Sequence, residues 1–392
     1  VPLSDVLLLT APFGGGHLHA AIAVEQAVRR YFPEVKVSLL DFFKEISPWL
    51  AGSANSLYLA TIRYKPELYG SFYNYVNRLP HESSLQKKMN RFGLSKCAEL
   101  LWDIQPQVVV SFYPTSSQVV GELKGKGQFD GKLVTVITDY IVNRQWIHPL
   151  TDLYLVAADE VKNELIACGV PGDNIKVTGI PISLEFAQEK NKNVLLKNKG
   201  LDPNIPLLLI CCGAFGVNSS IDKLCKEVAS YKDPIQTVVI SGRNTRLQQR
   251  LATIAKDAIQ PFYVYGYVKD MAEWMGMADL IVSKSGGLTV SEALASELPM
   301  VITPPIPGQE AFNAQFLVNN GAAVSCEDYS HISKVIFHLL KNPLELQKMR
   351  CAAREIKRPF SAEHAASVLV GMLASSDKET QIQRLRSEAS FL

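Results

Sequence analysis

Asp5 to Ala21 reads DVLLLTAPFGGGHLHAA. The apolar run Asp5–Thr10 has the length and continuity of a strand buried on both faces. Three glycines follow, and from Ala20 to Tyr31 the apolar residues recur at helical spacing. Strand, glycine turn and helix together form the opening unit of a doubly wound parallel sheet. Outward from it the alternation continues, with strands predicted at Val35–Leu40, Val108–Phe112, Leu133–Thr138, Tyr154–Val156 and Ile175–Thr178. It restarts at Pro206–Cys212, PLLLICC, followed by a helix at Ile221–Ser230, a strand at Gln236–Ser241 and a helix at Thr245–Ala258. Further strands are predicted at Phe262–Tyr265, Leu280–Ser283 and Met300–Thr303. Two such series predict an α/β protein of two doubly wound parallel-sheet domains, and 392 residues is the length two domains require. The expected division is 1–182 for the first domain, a polar Lys- and Asn-rich linker with one short helix at 183–205, and 206–357 for the second. Residues 358–392 are expected to form C-terminal helices able to cross back to the first domain.

Hydrophobic residues at 47% and charged residues at 20% exclude disorder for the chain as a whole. A net charge of +2 gives no global case for nucleic acid, and none is expected as a partner. No apolar run reaches the ~18–20 residues of a spanning helix. The chain opens on Val1, which fits a trimmed N-terminus, and shows no signal-peptide pattern. Its seven cysteines contain no Cys-x-x-Cys pair, so they read as reduced thiols of a cytosolic protein. One segment stands apart: residues 53–96 carry seven Lys and Arg against two Glu, a net +5, interleaved with aromatic residues such as Tyr58, Tyr64, Tyr69 and Phe72. Basic and aromatic residues together suit an anionic membrane surface. A pair of helices packing their aromatic rings inward is the plain alternative.

Three turns carry candidate chemistry. In Gly14-Gly15-Gly16-His17 the glycines let the backbone approach a ligand, and the helix start disfavours an imidazolium, so His17 is a candidate general base. A dinucleotide fingerprint fails because His19 stands where its third glycine should be. In Ser283–Glu292, Ser285, Gly286, Gly287 and Thr289 can hold a diphosphate on backbone N–H groups and hydroxyls, and Glu292 can accept ribose hydroxyls. No Walker A order occurs in the chain. In Pro307-Gly308-Gln309-Glu310, an amide beside a carboxylate can read adjacent sugar hydroxyls. The plain alternatives are a glycine-rich turn with a solvated His17, a first-turn Glu292 that merely suits the helix dipole, and a capped helix start at Gln309. Arg243 can neutralise a phosphate, and Asp139, Trp146 and His148 follow a strand end of the first domain as acceptor-side candidates. No Asp-x-Asp pair or His/carboxylate cluster stands at ligand spacing, so no metal or other cofactor is expected.

In order and spacing these residues resemble glycosyltransferase family 28, in particular bacterial diacylglycerol glucosyltransferases and plant monogalactosyldiacylglycerol synthases. The resemblance is carried by Gly14–His17 with Ala20-Ala21, Thr138-Asp139 with Trp146, and Val177–Ile182. It continues through Gly213–Gly216, Gly242-Arg243-Asn244, Gly266-Tyr267-Val268, Lys284–Glu292, and Pro307–Glu310 with Asn313. Asn143 departs from the pattern where some relatives carry His, and Phe215 where some carry a smaller or more polar residue.

The resemblance implies a GT-B fold of two facing Rossmann-like domains with the active site between them. It implies an inverting hexosyl transfer from a UDP-hexose to diacylglycerol at the inner face of the cell membrane. His17 is then the base on the acceptor side with Gly14 and Gly15. The donor contacts are Gly16, Arg243, Val268 at the uracil, Ser285, Gly286, Gly287, Thr289, Glu292 at the ribose, and Gln309 and Glu310 at the sugar. A UDP-GlcNAc 2-epimerase and a non-catalytic UDP-sugar sensor are the competing readings. The motifs do not distinguish glucose from galactose in the donor.

Overall fold

The computed structural model describes residues 3–11, 15–46, 93–213, 220–306 and 308–373. They form two units, one from the described residues up to Leu184 together with Phe360–Leu373, the other Glu185–Pro359.

The first unit holds strands β1 Val6–Thr10, β2 Val37–Asp41, β3 Val108–Ser111, β4 Lys132–Val136, β5 Leu153–Val156 and β6 Ile175–Val177. They run parallel in the order β2-β1-β3-β4-β5-β6. Every residue of β1 and β3 is buried, which is why those segments read as unbroken apolar runs rather than alternating ones. Leu7, Leu9, Val109, Val119, Leu123 and Leu133 share one core cluster on one face of the sheet. On the first helix, Gly16–Tyr31, the buried positions are small: Ala20, Ala21, Ala23, Val24, Ala27 and Val28. The helix Ser361–Gly371 packs against it with a stripe of its own, Ala362, Ala365, Ala366, Leu369 and Val370. Ser361 accepts a hydrogen bond from the Ile182 main chain at 3.3 Å.

The second unit holds β7 Leu207–Cys211, β8 Gln236–Ile240, β9 Phe262–Tyr265, β10 Leu280–Ser283, β11 Met300–Ile302 and β12 Ala323–Ser325, also parallel. Their order is β12-β11-β10-β7-β8-β9, the Rossmann order. In each sheet the winding reverses once, between β1 and β3 in the first and between β7 and β10 in the second. Ligands of open parallel sheets bind at such reversals, outside the carboxyl ends of the strands.

The segment expected as a linker is anchored rather than free. Its helix, Lys192–Asn198, is capped by Asn191, and Lys192 pairs with Asp279. Lys199 bonds Asp270, reaches Glu273 at 3.2 Å and lies 5.0 Å from the Trp274 ring centre. β12 has no counterpart in the sequence reading. It is a short edge strand of which one residue of three is buried, so the apolar signature of the central strands is absent. The first helix begins at Gly16, not Ala20, because its opening turn is polar and glycine-rich.

Candidate active site

At the first reversal, β1 and β3 end side by side. Gly15 caps the first helix with φ 81°, a left-handed conformation that glycine adopts without strain. Gly16 is the first helical residue and His17 the second. His17 Nδ1 lies 2.7 Å from the Thr138 hydroxyl, just beyond β4. Tyr113, two residues past the end of β3, meets the imidazole edge to face at 5.2 Å, and Trp146 lies at 6.1 Å. Phe43 packs on the far side of this group, 5.7 Å from Tyr113.

Trp146 is buried on the short 3-10 turn Arg144–Trp146. Asn143 caps that turn, its Oδ1 accepting from Gln145 N at 2.9 Å. Gln118 ties the turn to the helix Pro114–Gly125 by donating to the Gln145 and Ile147 carbonyls, each at 2.9 Å. The residue that departs from the family pattern thus serves to hold the tryptophan. Loss of hydration pushes His17 down to about 4, against a hydrogen bond to the Phe112 main chain that works the other way. The ring is therefore neutral at pH 7, as expected, but burial is the main cause rather than the helix dipole.

Of the other acceptor-side candidates, Asp139 is partly buried beside Thr138. His148 is engaged away from the imidazole: its Nδ1 accepts from Leu150 N at 3.1 Å, and its ring lies against Gly121, where a Cβ would come within 2.3 Å. Gly14 and all but Gly93–Lys96 of the basic aromatic segment 53–96 lie outside the described residues.

At the second reversal, Ser283, Lys284 and Ser285 leave β10, and Gly286 caps the helix Gly287–Ala295. Thr289 is partly buried on the first turn. Ser285 is fully buried, and its hydroxyl donates to the Glu310 carbonyl at 2.6 Å. Asn313 donates to the Ser285 carbonyl at 3.0 Å. The Ser285 hydroxyl thus holds two turns together, and its proton is committed to protein rather than offered to a phosphate. The main-chain N–H groups of the helix start are the donors left to meet an anion.

Glu292, partly buried one turn further on, is pushed up to about 8 by desolvation. Desolvation thus favours the protonated form, which offers a donor beside its acceptors, where the sequence reading expected a carboxylate with acceptors alone. Its charge, when present, helps raise the buried Cys211 thiol at the end of β7.

Gly308 precedes the helix Gln309–Asn319 with φ 119° and ψ −141°, a region open only to glycine. Glu310 behind it is 9% exposed, and Lys284 Nζ reaches its Oε1 at 2.6 Å. Gln309 is partly buried. On the outer strands, Arg243 is exposed after β8, 4.9 Å from the Tyr267 ring centre, and Val268 is partly buried on the loop after β9. Asn244 caps the next helix by accepting from Leu247 N at 3.0 Å. Among the described residues no group of three His, Cys, Asp or Glu could hold a metal ion.

Tyr113, the hydroxyl of Thr138 and the Lys284–Glu310 pair carry no role in the sequence reading. Tyr113 was within reach of it, since it ends the strand beside β1, but the pairing of β1 with β3 is a fact of topology.

The profile of the Monogalactosyldiacylglycerol (MGDG) synthase family matches residues 17–182. That of the glycosyltransferase family 28 C-terminal domain matches residues 207–367. A processive diacylglycerol beta-glucosyltransferase of Bacillus cereus is 34% identical over 366 residues, 93% of each chain. MurG of Acinetobacter baumannii superposes with a TM-score of 0.63 at 16% identity, over 93% of this chain and 99% of that one. The UDP-GlcNAc 2-epimerase of Neisseria meningitidis, solved with UDP-GlcNAc, gives 0.59 at 16% identity, over 94% and 99%. At such identity the solved structures share the fold, which is GT-B.

Proposed function

The chain belongs to the diacylglycerol glycosyltransferases of glycosyltransferase family 28, and on that premise we propose that it moves a hexose from a UDP-sugar to diacylglycerol with inversion, His17 acting as general base. Inverting transfer is one displacement. The acceptor hydroxyl oxygen bonds to the anomeric carbon as the carbon–oxygen bond to UDP breaks; its proton goes to His17, and UDP leaves with the bonding electrons. The base and Gly16 belong to the first unit and the other donor residues to the second.

The observation that carries this reading is the setting of His17: neutral at pH 7, oriented by Thr138 and walled by Tyr113 and Trp146. A histidine near 4 is a weak base, and negative charge brought near it by substrate would raise it toward the range where it takes a proton effectively. Backbone N–H groups at Gly286 and Gly287 and the Arg243 guanidinium take up charge on the departing UDP. Gln309 and Glu310 read the sugar, Val268 lies at the uracil, and Glu292 at the ribose.

Among the described residues no helix is long and apolar enough to cross a membrane. We place the enzyme on the inner face of the cell membrane through residues 53–96, whose +5 charge suits anionic headgroups.

The test is to incubate the protein with diacylglycerol vesicles and UDP-glucose, UDP-galactose or UDP-GlcNAc in turn, and to weigh the lipid products by mass spectrometry. Glycosylated diacylglycerol from one donor identifies the reaction; free ManNAc without a lipid product would identify an epimerase instead. His17→Ala is expected to lose about 10²–10⁴-fold in turnover while binding UDP as before. Wild-type turnover in that variant removes His17 from the base role.

A further inference from the structure

Lys284 stands at the carboxyl end of β10, at the reversal itself, whereas Arg243 lies one strand further out, after β8. Its stem runs past both glycine turns that part there. A Cβ on Gly213 would lie 3.5 Å from Lys284 Cε, and one on Gly286 would lie 4.0 Å from it. The ammonium ends on Glu310 Oε1 at 2.6 Å, with the Lys284 side chain 45% exposed and that of Glu310 11%. The second oxygen, Oε2, is buried and has no hydrogen-bond partner among the described residues. A buried carboxylate oxygen left unpaired is costly, and calls for a group that completes it. The two partners differ in freedom: Glu310 is set on a backbone whose carbonyl the buried Ser285 hydroxyl holds, while Lys284 has a flexible stem open to solvent. An ion pair solvated on one side holds weakly, and a diphosphate carries more charge than one carboxylate.

We propose that Lys284 is the charge that meets the donor's diphosphate, and that Glu310 is the partner it leaves to do so. The ammonium passes to the phosphates, and the freed carboxylate, with its unpaired oxygen, accepts hydroxyls of the sugar. The exchange couples the two ends of the donor: Glu310 is available to the sugar only once the phosphates are in place. This deepens the reading of the second unit as a UDP-sugar site, and rests on it.

The experiment is calorimetric titration of UDP and of uridine, which lacks the phosphates, into wild type and variants. Lys284→Met is expected to weaken UDP by about 10–100-fold and to leave uridine within about twofold. Lys284→Arg is expected to restore most of the UDP affinity. Glu310→Gln, which frees the ammonium, is expected to bind UDP at least as tightly as wild type, while a UDP-hexose loses its margin over UDP. Lys284→Met/Glu310→Gln leaves no carboxylate stranded, so it is expected to melt with wild type and still bind UDP weakly, which separates lost charge from lost folding. UDP affinity unchanged in Lys284→Met, an equal loss for uridine, or weaker UDP binding in Glu310→Gln would each overturn the exchange. Wild type that binds neither UDP nor uridine would overturn the donor site as well as the exchange built on it.

Discussion

Thr138→Val removes one oxygen from the wall of the first site and leaves the shape of the side chain. The hydroxyl is 2.7 Å from His17 Nδ1, and Thr138 is 5% exposed, so water does not readily take its place. Its role follows from the chemistry of a neutral imidazole, which has one N–H and one lone pair. For Nε2 to accept a proton, Nδ1 must carry one, and the Thr138 hydroxyl, which can donate or accept, is then expected to serve as its acceptor. Without it the ring loses a buried hydrogen bond worth about 1–3 kcal/mol when its partner is left unpaired. If that loss falls on the transition state it corresponds to about 5–150-fold in rate. The assay is steady-state transfer to diacylglycerol in mixed micelles, with turnover and donor KM measured separately. Turnover is expected to fall in that range at unchanged donor KM, and Thr138→Ser, which keeps the oxygen, is expected to stay close to wild type. Thr138→Val with wild-type turnover, or a loss equally large in Thr138→Ser, would show that the hydroxyl does not set the tautomer.

Glu292 is raised from 4.5 to about 8 in the folded chain, so the folded state binds the extra proton between those values and the stability it brings is lost as pH rises through 8. Glu292→Gln, a neutral isostere, is therefore expected to melt with wild type at pH 5 and above it at pH 9; a variant less stable than wild type at pH 9 contradicts the raised carboxyl. Gly308→Ala forces a side chain into a conformation open only to glycine, with an expected cost of about 1–3 kcal/mol in urea unfolding and weaker binding of UDP-hexose than of UDP. Reversing Lys87, Lys88 and Arg91 to Glu is expected to weaken flotation on anionic vesicles by about 10²-fold or more, at ~1 kcal/mol for each charge near the surface. Unchanged flotation would move the membrane contact elsewhere in the chain.

The strands were legible because parallel strands covered on both faces are apolar throughout, and the sequence shows that directly at Val6–Thr10 and Leu207–Cys211. Glycine turns marked where those strands give way to helices, so His17, Gly286 and Glu310 could be placed without coordinates. β12 stayed hidden because an exposed edge strand of three residues carries no such pattern. The partners of the key groups were hidden for a different reason. Thr138 is 121 residues from His17, and Lys284 is 26 from Glu310, so only the folded sheet order brings them together. Burial is likewise invisible in a motif, and it decides that Glu292 favours its protonated form and that the Ser285 hydroxyl faces inward. The segment at 183–205 reads as a linker with one short helix, and what the sequence does not show is that Lys192 and Lys199 are counterions for Asp270, Glu273 and Asp279, acids far away in sequence.

The helix Ser361–Gly371 has a consequence for how the molecule is made. It packs against the helix Gly16–Tyr31, so the unit whose strands are synthesised first lacks one wall until the chain has grown past residue 371. The described residues of the second unit run from Glu185 to Pro359 and end before that helix begins. During synthesis the natural order of folding is thereby inverted, and the later unit can close while the earlier one still waits for its last helix. A stop codon shortly after Pro359 would spare the turns at Gly286 and Gly308, yet would leave the half that carries His17 without its last helix.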